Sequence, residues 1–136
     1  SVPLTRDVFT VRIGEQRARL WESDRFDEAA RGKAEAAVVS GEYLYRLVKE
    51  YLCSTSRFGI GQKEGSNCTP LGLHRIAEKI GDGCPVGTVF KSRVPVGFTW
   101  EGMADASITT RILWLEGLEP GLNRGGDVDS FRRYIY

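Results

Sequence analysis

The sequence predicts a mainly β protein, one domain over residues 1–136 with a single inserted helix. Three observations carry this. Short runs of β-branched and aromatic residues recur, several with strict two-residue alternation. Gly, Pro, Asp and Asn punctuate those runs. One stretch alone is rich in Ala and Glu, the composition of a helix.

Taken in order, Val8 to Trp21 reads as a strand pair: Phe9, Val11 and Ile13 alternate, Gly14-Glu15 breaks the run, and Ala18, Leu20 and Glu22 resume it. A hairpin is expected near Gly14. Ser23 and Asp24 can accept hydrogen bonds from the free amides of a helix start, and Asp27 to Ala37 is dense in helix formers, so residues 24–39 read as a helix interrupted by Gly32. After Ser40-Gly41, Tyr43, Tyr45, Leu47, Tyr51 and Cys53 fall on one parity, the period of a strand with one buried face.

Residues 57–68 hold three glycines among Ser, Asn, Gln and Lys and are expected to form a surface loop. Thr69-Pro70-Leu71-Gly72 closes it and starts a strand, Leu73 to Ile80. Gly81-Asp82-Gly83 is a turn signal. Val86 to Val94, Val96 to Trp100 and Ile108 to Leu115 are then read as strands, Glu119 to Asp127 as a second polar loop, and Phe131 to Tyr136 as a buried final strand.

Composition bounds the function classes. A 136-residue chain can bury a core without obligatory disulfides or metals. Nineteen basic against eighteen acidic residues leave a charge of +1, and no segment interleaves Lys and Arg with aromatics, so nucleic acid is not an expected partner. Apolar runs such as Ile112-Leu113-Trp114-Leu115 are far too short for a transmembrane segment. No metal, nucleotide or other cofactor is implied: Gly59-Ile60-Gly61 lacks the strand-to-helix setting of a phosphate-binding loop. Cys53, Cys68 and Cys84 are odd in number and widely spaced, which fits neither a full disulfide framework nor a zinc site. At least one thiol is expected to be free or paired outside the chain.

Two separated segments carry a resemblance. Leu52-Cys53-Ser54-Thr55-Ser56-Arg57, a glycine-containing loop, and Thr69-Pro70-Leu71-Gly72-Leu73-His74-Arg75-Ile76 occur in the order and rough spacing of the L,D-transpeptidase (YkuD-type) catalytic domain. Downstream, Ile108-Thr109-Thr110-Arg111 and Phe131-Arg132-Arg133-Tyr134-Ile135-Tyr136 continue the likeness. It covers most of residues 8–136, with 24–39 looking like an insertion. The resemblance implies a β-sandwich, a periplasmic or cell-envelope location after export, and peptidoglycan stem peptides as partners.

In that family a strand like the last one leads into a His-Gly element and then Ser-x-Gly-Cys, whose cysteine forms a thioester during cell-wall cross-linking. Neither element occurs in this chain, so the catalytic pair is expected beyond Tyr136 and no catalytic residue is assigned here. Whether the chain acts as an enzyme is therefore open. The alternative is a noncatalytic module binding peptidoglycan or a protein on the same framework.

Four residues are singled out for substrate binding: Thr69, Gly72, Arg133 and Tyr136. Pro70 pushes Thr69 toward an extended backbone and Gly72 permits close approach, so the motif can shape a rim or simply end a loop. Arg111, Arg132 and Arg133 are candidates for a peptide carboxylate, against the reading that they are outward and solvated. Trp100, Trp114, Tyr134 and Tyr136 could stack on sugars, although aromatics in β domains more commonly pack in the core.

Cys68 with His74, the single imidazole, is a third reading as a small hydrolase, but six residues of extended chain would hold them apart. His74 is expected to pack or to make a satisfied hydrogen bond. Cys53 reads as a small buried hydrophobe and Cys84 as a turn residue. An apolar C-terminal strand would leave an open edge, through which the chain is expected to self-associate.

Overall fold

The computed structural model describes residues 5–23, 36–40, 43–103 and 106–136. Regular structure there is strand, with a few single 3₁₀ turns: β1 (Asp7–Arg12), β2 (Arg17–Ser23), β3 (Ala36–Ser40), β4 (Tyr43–Leu52), β5 (His74–Ile80), β6 (Thr88–Lys91), β7 (Val94–Phe98) and β8 (Ile112–Gly117). The expected β-rich class is thus observed. No helix among the described residues is long and apolar enough to cross a membrane. Contacts divide the chain into two compact units, Ser1–Thr55 and Ser56–Tyr136.

The first unit is an antiparallel sheet in the order β1-β2-β4-β3. Its register places Val11 opposite Ala18 and Ala18 opposite Tyr51, so apolar residues of three strands share a face; the Phe9 and Tyr51 rings lie 6.2 Å apart. The hairpin falls where the sequence predicts it. A 3₁₀ turn at Ile13–Glu15 ends in Gln16 at φ 50°. The Gln16 amide donates to Ile13 O (2.6 Å) and Thr55 Oγ1 (2.7 Å) and accepts from Thr55 N (2.9 Å), tying the turn to the end of β4.

The helix expected over 24–39 is corrected where it can be seen. Residues 24–35 lie outside the described residues, whereas Ala36–Ser40 form β3, paired antiparallel with β4. Val38 and Val39 lose side-chain freedom in a helix and suit a pleated surface, and β4 offers an unpaired edge; pairing overrides the helix propensity of the neighbouring alanines.

In the second unit β5 pairs with β8 and β6 with β7, both antiparallel. The run expected as one strand over 86–94 is broken at Ser92-Arg93, both at positive φ (49° and 67°), which turns the chain so that Lys91 faces Val94. Pro95, without an N–H, is accommodated because β7 pairs on one side only. Phe90 of β6 and Ile112 and Trp114 of β8 form the core, with Ile80, Cys84, Ile108 and Phe131 packed against them.

The expected final strand is not formed. Phe131–Tyr134 is a turn, with Arg133 N donating to Asp129 O (3.0 Å) and Tyr134 N to Phe131 O (3.1 Å). The Asp129 carboxylate accepts from Gly125 N (2.8 Å) and Arg132 N (3.0 Å), and the Trp114 indole donates to Phe131 O (3.0 Å). These bonds claim backbone groups a ladder would need. Leu115 N reaches Ile135 O (2.8 Å), but the strand edge through which self-association was expected is lacking.

Candidate functional site

The polar stretch after Ser56 is a surface loop with its own bonding. Ser56 N donates to Thr69 Oγ1 (2.8 Å), Thr69 N to Gly59 O (2.9 Å) and Gly61 N to Thr69 O (3.0 Å). The Gln62 side chain brackets Leu71, donating to its carbonyl at 3.2 Å and accepting from its amide at 2.9 Å. Thr69 therefore closes the loop with its hydroxyl and both backbone groups, the extended geometry expected of a residue before proline.

Arg133 enters the same loop from the turn after β8. Its Nη1 donates to Gly61 O (3.3 Å) and Gln62 O (2.7 Å), and its Nη2 to Ser66 Oγ (3.5 Å) and Cys68 O (2.8 Å). The planar fork matches several carbonyls at once, which a lysine could not do. The guanidinium proposed for a peptide carboxylate is thus directed at loop oxygens. Arg111 likewise donates to Cys84 O (2.9 Å) and Thr110 O (2.6 Å), while Arg132 is exposed.

Below the loop, Gly72 sits against Asn123. Asn123 is fully buried; its Oδ1 accepts from Glu119 N (2.9 Å) and its Nδ2 donates to Leu71 O and Leu73 O (both 3.0 Å). Glu119 Oε2 accepts from Leu73 N (2.5 Å). Gly72 has φ 95°, and a Cβ there would meet Asn123 Nδ2 at 2.8 Å and Leu122 Cδ2 at 2.9 Å. Its glycine is required by both the backbone angle and the close approach.

His74 Nδ1 lies 3.0 Å from Gly72 O and Nε2 lies 2.8 Å from Ser130 Oγ. A carbonyl can only accept, so Nδ1 donates to Gly72 O, and Nε2 shares a second hydrogen bond with the Ser130 hydroxyl. A hydroxyl, an imidazole and an orienting acceptor in line resemble a nucleophile and its base. Ser130, however, is 0% exposed, with its N–H bonded to Asn123 O (2.9 Å), so no substrate reaches it and the pair is structural. The expected satisfied hydrogen bond of His74 is what is found.

All three cysteines are free thiols. Cys68 Sγ is directed at Phe58 O (3.3 Å) and Ser66 O (3.5 Å), and both His74 nitrogens are engaged elsewhere, so the two do not form a thiol–imidazole pair. Among the described residues, no three His, Cys, Asp or Glu side chains gather as a metal site.

The aromatic residues divide. Trp114 is core, 8% exposed, stacked on Phe131 at 4.1 Å and tilted against Tyr134 at 5.5 Å. Tyr136 meets its edge at 6.0 Å, and Arg93 lies over the Trp114 and Tyr134 rings at 4.7 and 5.0 Å. Trp100, by contrast, is exposed and stacks on Phe98.

The structure thus places Thr69, Gly72 and Arg133 around one loop, and Tyr136 in the aromatic cluster with Arg93. Sequence reasoning missed Asn123, Glu119, Ser130 and Arg93. The available signal for Asn123 was an Asn inside a Gly-rich loop, a residue type that supplies both donors and an acceptor to irregular backbone. Comparison with family models, with curated proteins and with solved structures gives no match.

Proposed function

We propose that the chain is an L,D-transpeptidase-like domain of β-sandwich type, whose loop 56–73 forms a wall against which peptidoglycan stem peptides lie. The supporting observation is the set of Arg133 bonds: the downstream segment of the resemblance, 131–136, reaches Gly61, Gln62 and Cys68 in the loop that joins its first two segments, 65 to 72 residues away. In this reading Thr69 and Gly72 shape the rim, Arg133 holds it rigid, and the protein works in the periplasm or cell envelope.

The reaction of this class is acyl transfer. A cysteine thiolate attacks the carbonyl of the L-to-D peptide bond, the D-residue amine leaves with a proton supplied by histidine, and an acceptor amine then displaces the thioester sulfur. None of Cys53, Cys68 and Cys84 is bonded to the imidazole that such a thiolate needs. The residues of this chain would thus bind and orient the peptide, and the thiol and its base would come from the family's His-Gly and Ser-x-Gly-Cys elements.

The occupied His74 nitrogens favour a second reading, a noncatalytic peptidoglycan-binding module on the same framework. One experiment addresses both. Purified stem peptides are titrated into the protein while loop amides are followed by NMR, and dimeric products are sought by mass spectrometry in the native protein. Saturable shifts at Gly61, Ser66 and Thr69 are expected. Cross-linked product identifies the transferase and shifts without product identify the module, while flat titrations reject both.

A further inference from the structure

The β6–β7 turn contains two non-glycine residues at positive φ, Ser92 and Arg93. Such a backbone is uncommon outside Gly, Asn and Asp, and held strain of this kind points to a placed side chain. The turn swings Arg93 over Trp114 and Tyr134, where it is half-buried.

Three of the other guanidiniums of this unit are held by oxygen, while Arg57, Arg124 and Arg132 are exposed. Arg133 serves loop carbonyls, Arg111 serves Cys84 O and Thr110 O, and Arg75 pairs with Glu116. Among the described residues, no carboxylate stands within ion-pair distance of Arg93. The nearby Tyr136 side chain, the largest influence on it, raises the Arg93 pKa above its ordinary value.

A guanidinium over a ring uses its face, while its N–H donors lie in its plane and stay available for an acceptor. A phenol hydroxyl beside the cation can donate to the same acceptor. Tyr134 and Tyr136 are 55% and 40% exposed, so their rings open to solvent beside the cation, while Trp114 lies buried against them. Two donors beside an apolar shelf suit a planar anion attached to a small apolar group.

We propose that Arg93 and Tyr136, beside the exposed ring of Tyr134, form a binding site for the terminal carboxylate of a peptide. The inference rests on the wall-peptide reading for the identity of that peptide, and it moves the carboxylate contact from Arg133 to Arg93. The paired oxygens of a carboxylate meet the guanidinium fork, the Tyr136 hydroxyl donates to one of them, and the adjoining small side chain covers the rings.

The test uses N-acetyl-D-alanine, its carboxamide and inorganic phosphate as probes, with the Arg93 Nε–H and Trp114 indole N–H followed by NMR. The free acid should give saturable shifts, with the carboxamide and phosphate at least tenfold weaker. Arg93→Gln should weaken the acid at least tenfold, Tyr136→Phe several-fold, and Arg132→Gln not at all. Equal binding of acid and carboxamide, phosphate as tight as the acid, or full binding by Arg93→Gln would overturn the site. Should Arg93→Gln fail to fold, Arg93→Lys retains the charge but not the fork; undiminished binding by it would remove the bidentate contact. Binding of the acid with no response of loop 57–68 to stem peptides keeps this site and rejects the wall-peptide reading alone.

Discussion

Asn123 is fully buried in a loop without regular structure, and its side chain makes the bonds that a strand would otherwise provide to Leu71, Leu73 and Glu119. Asn123→Ala leaves the Glu119 amide without its acceptor, at about 1–3 kcal/mol, while Leu71 O and Leu73 O each lose one of two donors and keep Gln62 Nε2 and Leu118 N. A loss of about 2 kcal/mol is expected in urea unfolding; a loss below about 0.5 kcal/mol would show that water replaces the side chain. Two glycines test the same neighbourhood by contrast. Gly72 and Gly65 both have positive φ, 95° and 77°, but a Cβ at Gly65 meets nothing within 4 Å, whereas one at Gly72 runs into Asn123 and Leu122. Gly65→Ala should cost about 1–2 kcal/mol from the backbone alone, and Gly72→Ala about 2 kcal/mol more from overpacking. Equal costs would mean that the Asn123 cluster yields freely.

At the scale of elements, the loop over 57–68 shows how a polar segment becomes an ordered one. Its composition forbids a core of its own, and Arg133 supplies order from 65 to 72 residues away by bridging Gly61, Gln62, Ser66 and Cys68. Arg133→Lys keeps the charge but cannot reach this set of acceptors. Exchange of the Gly61, Ser66 and Thr69 amides should rise by about 10- to 100-fold with global stability changed far less; unaltered exchange would show that Thr69 and Gln62 hold the loop unaided. Alternation and turn residues made β1, β2, β4, β5 and β8 legible, because periodicity reports burial on one face. It failed where partners decide. Ala36–Ser40 carries residues compatible with helix and became a strand on the edge of β4. Phe131–Tyr136 has a strand's composition, yet Asp129 and the Trp114 indole take its backbone groups first. The rim residues Thr69 and Gly72 were visible because Pro and Gly dictate backbone locally, while Asn123 and Arg93 act through neighbours distant in sequence.

For the molecule as a whole, each unit carries its own acid-sensitive carboxylate, with different physics. In the first, Glu22 bridges Arg6 (2.6 Å) and Arg46 (2.5 Å), and these guanidiniums, Arg6 foremost, hold its pKa below the ordinary range. In the second, Asp129 is lowered by the backbone amides of Arg132 and then Gly125, which it joins across the turn that precedes Tyr134. A carboxylate more acidic in the folded than in the unfolded state contributes stability that is fully present above its unfolded pKa, about 4, and lost as pH falls through its lower folded value. Both units should therefore weaken below about pH 4. Salt separates them: the Glu22 carboxylate is half-buried but its Arg6 partner is exposed, so part of the share of these ion pairs should fade at about 0.5 M salt, whereas amide-to-carboxylate bonds at Asp129 are short-ranged and should persist. Unfolding followed residue by residue at pH 3 to 7, in Glu22→Gln and Asp129→Asn, reads the two shares. Glu22→Gln should flatten the low-salt acid slope in residues 5–23 and 43–55, and Asp129→Asn the salt-resistant slope in residues 56–136. An Asp129→Asn protein with the parent's acid slope would mean that this turn forms equally well without the charge, and the account of why Phe131–Tyr134 leaves the sheet would then fall to the Trp114 indole alone.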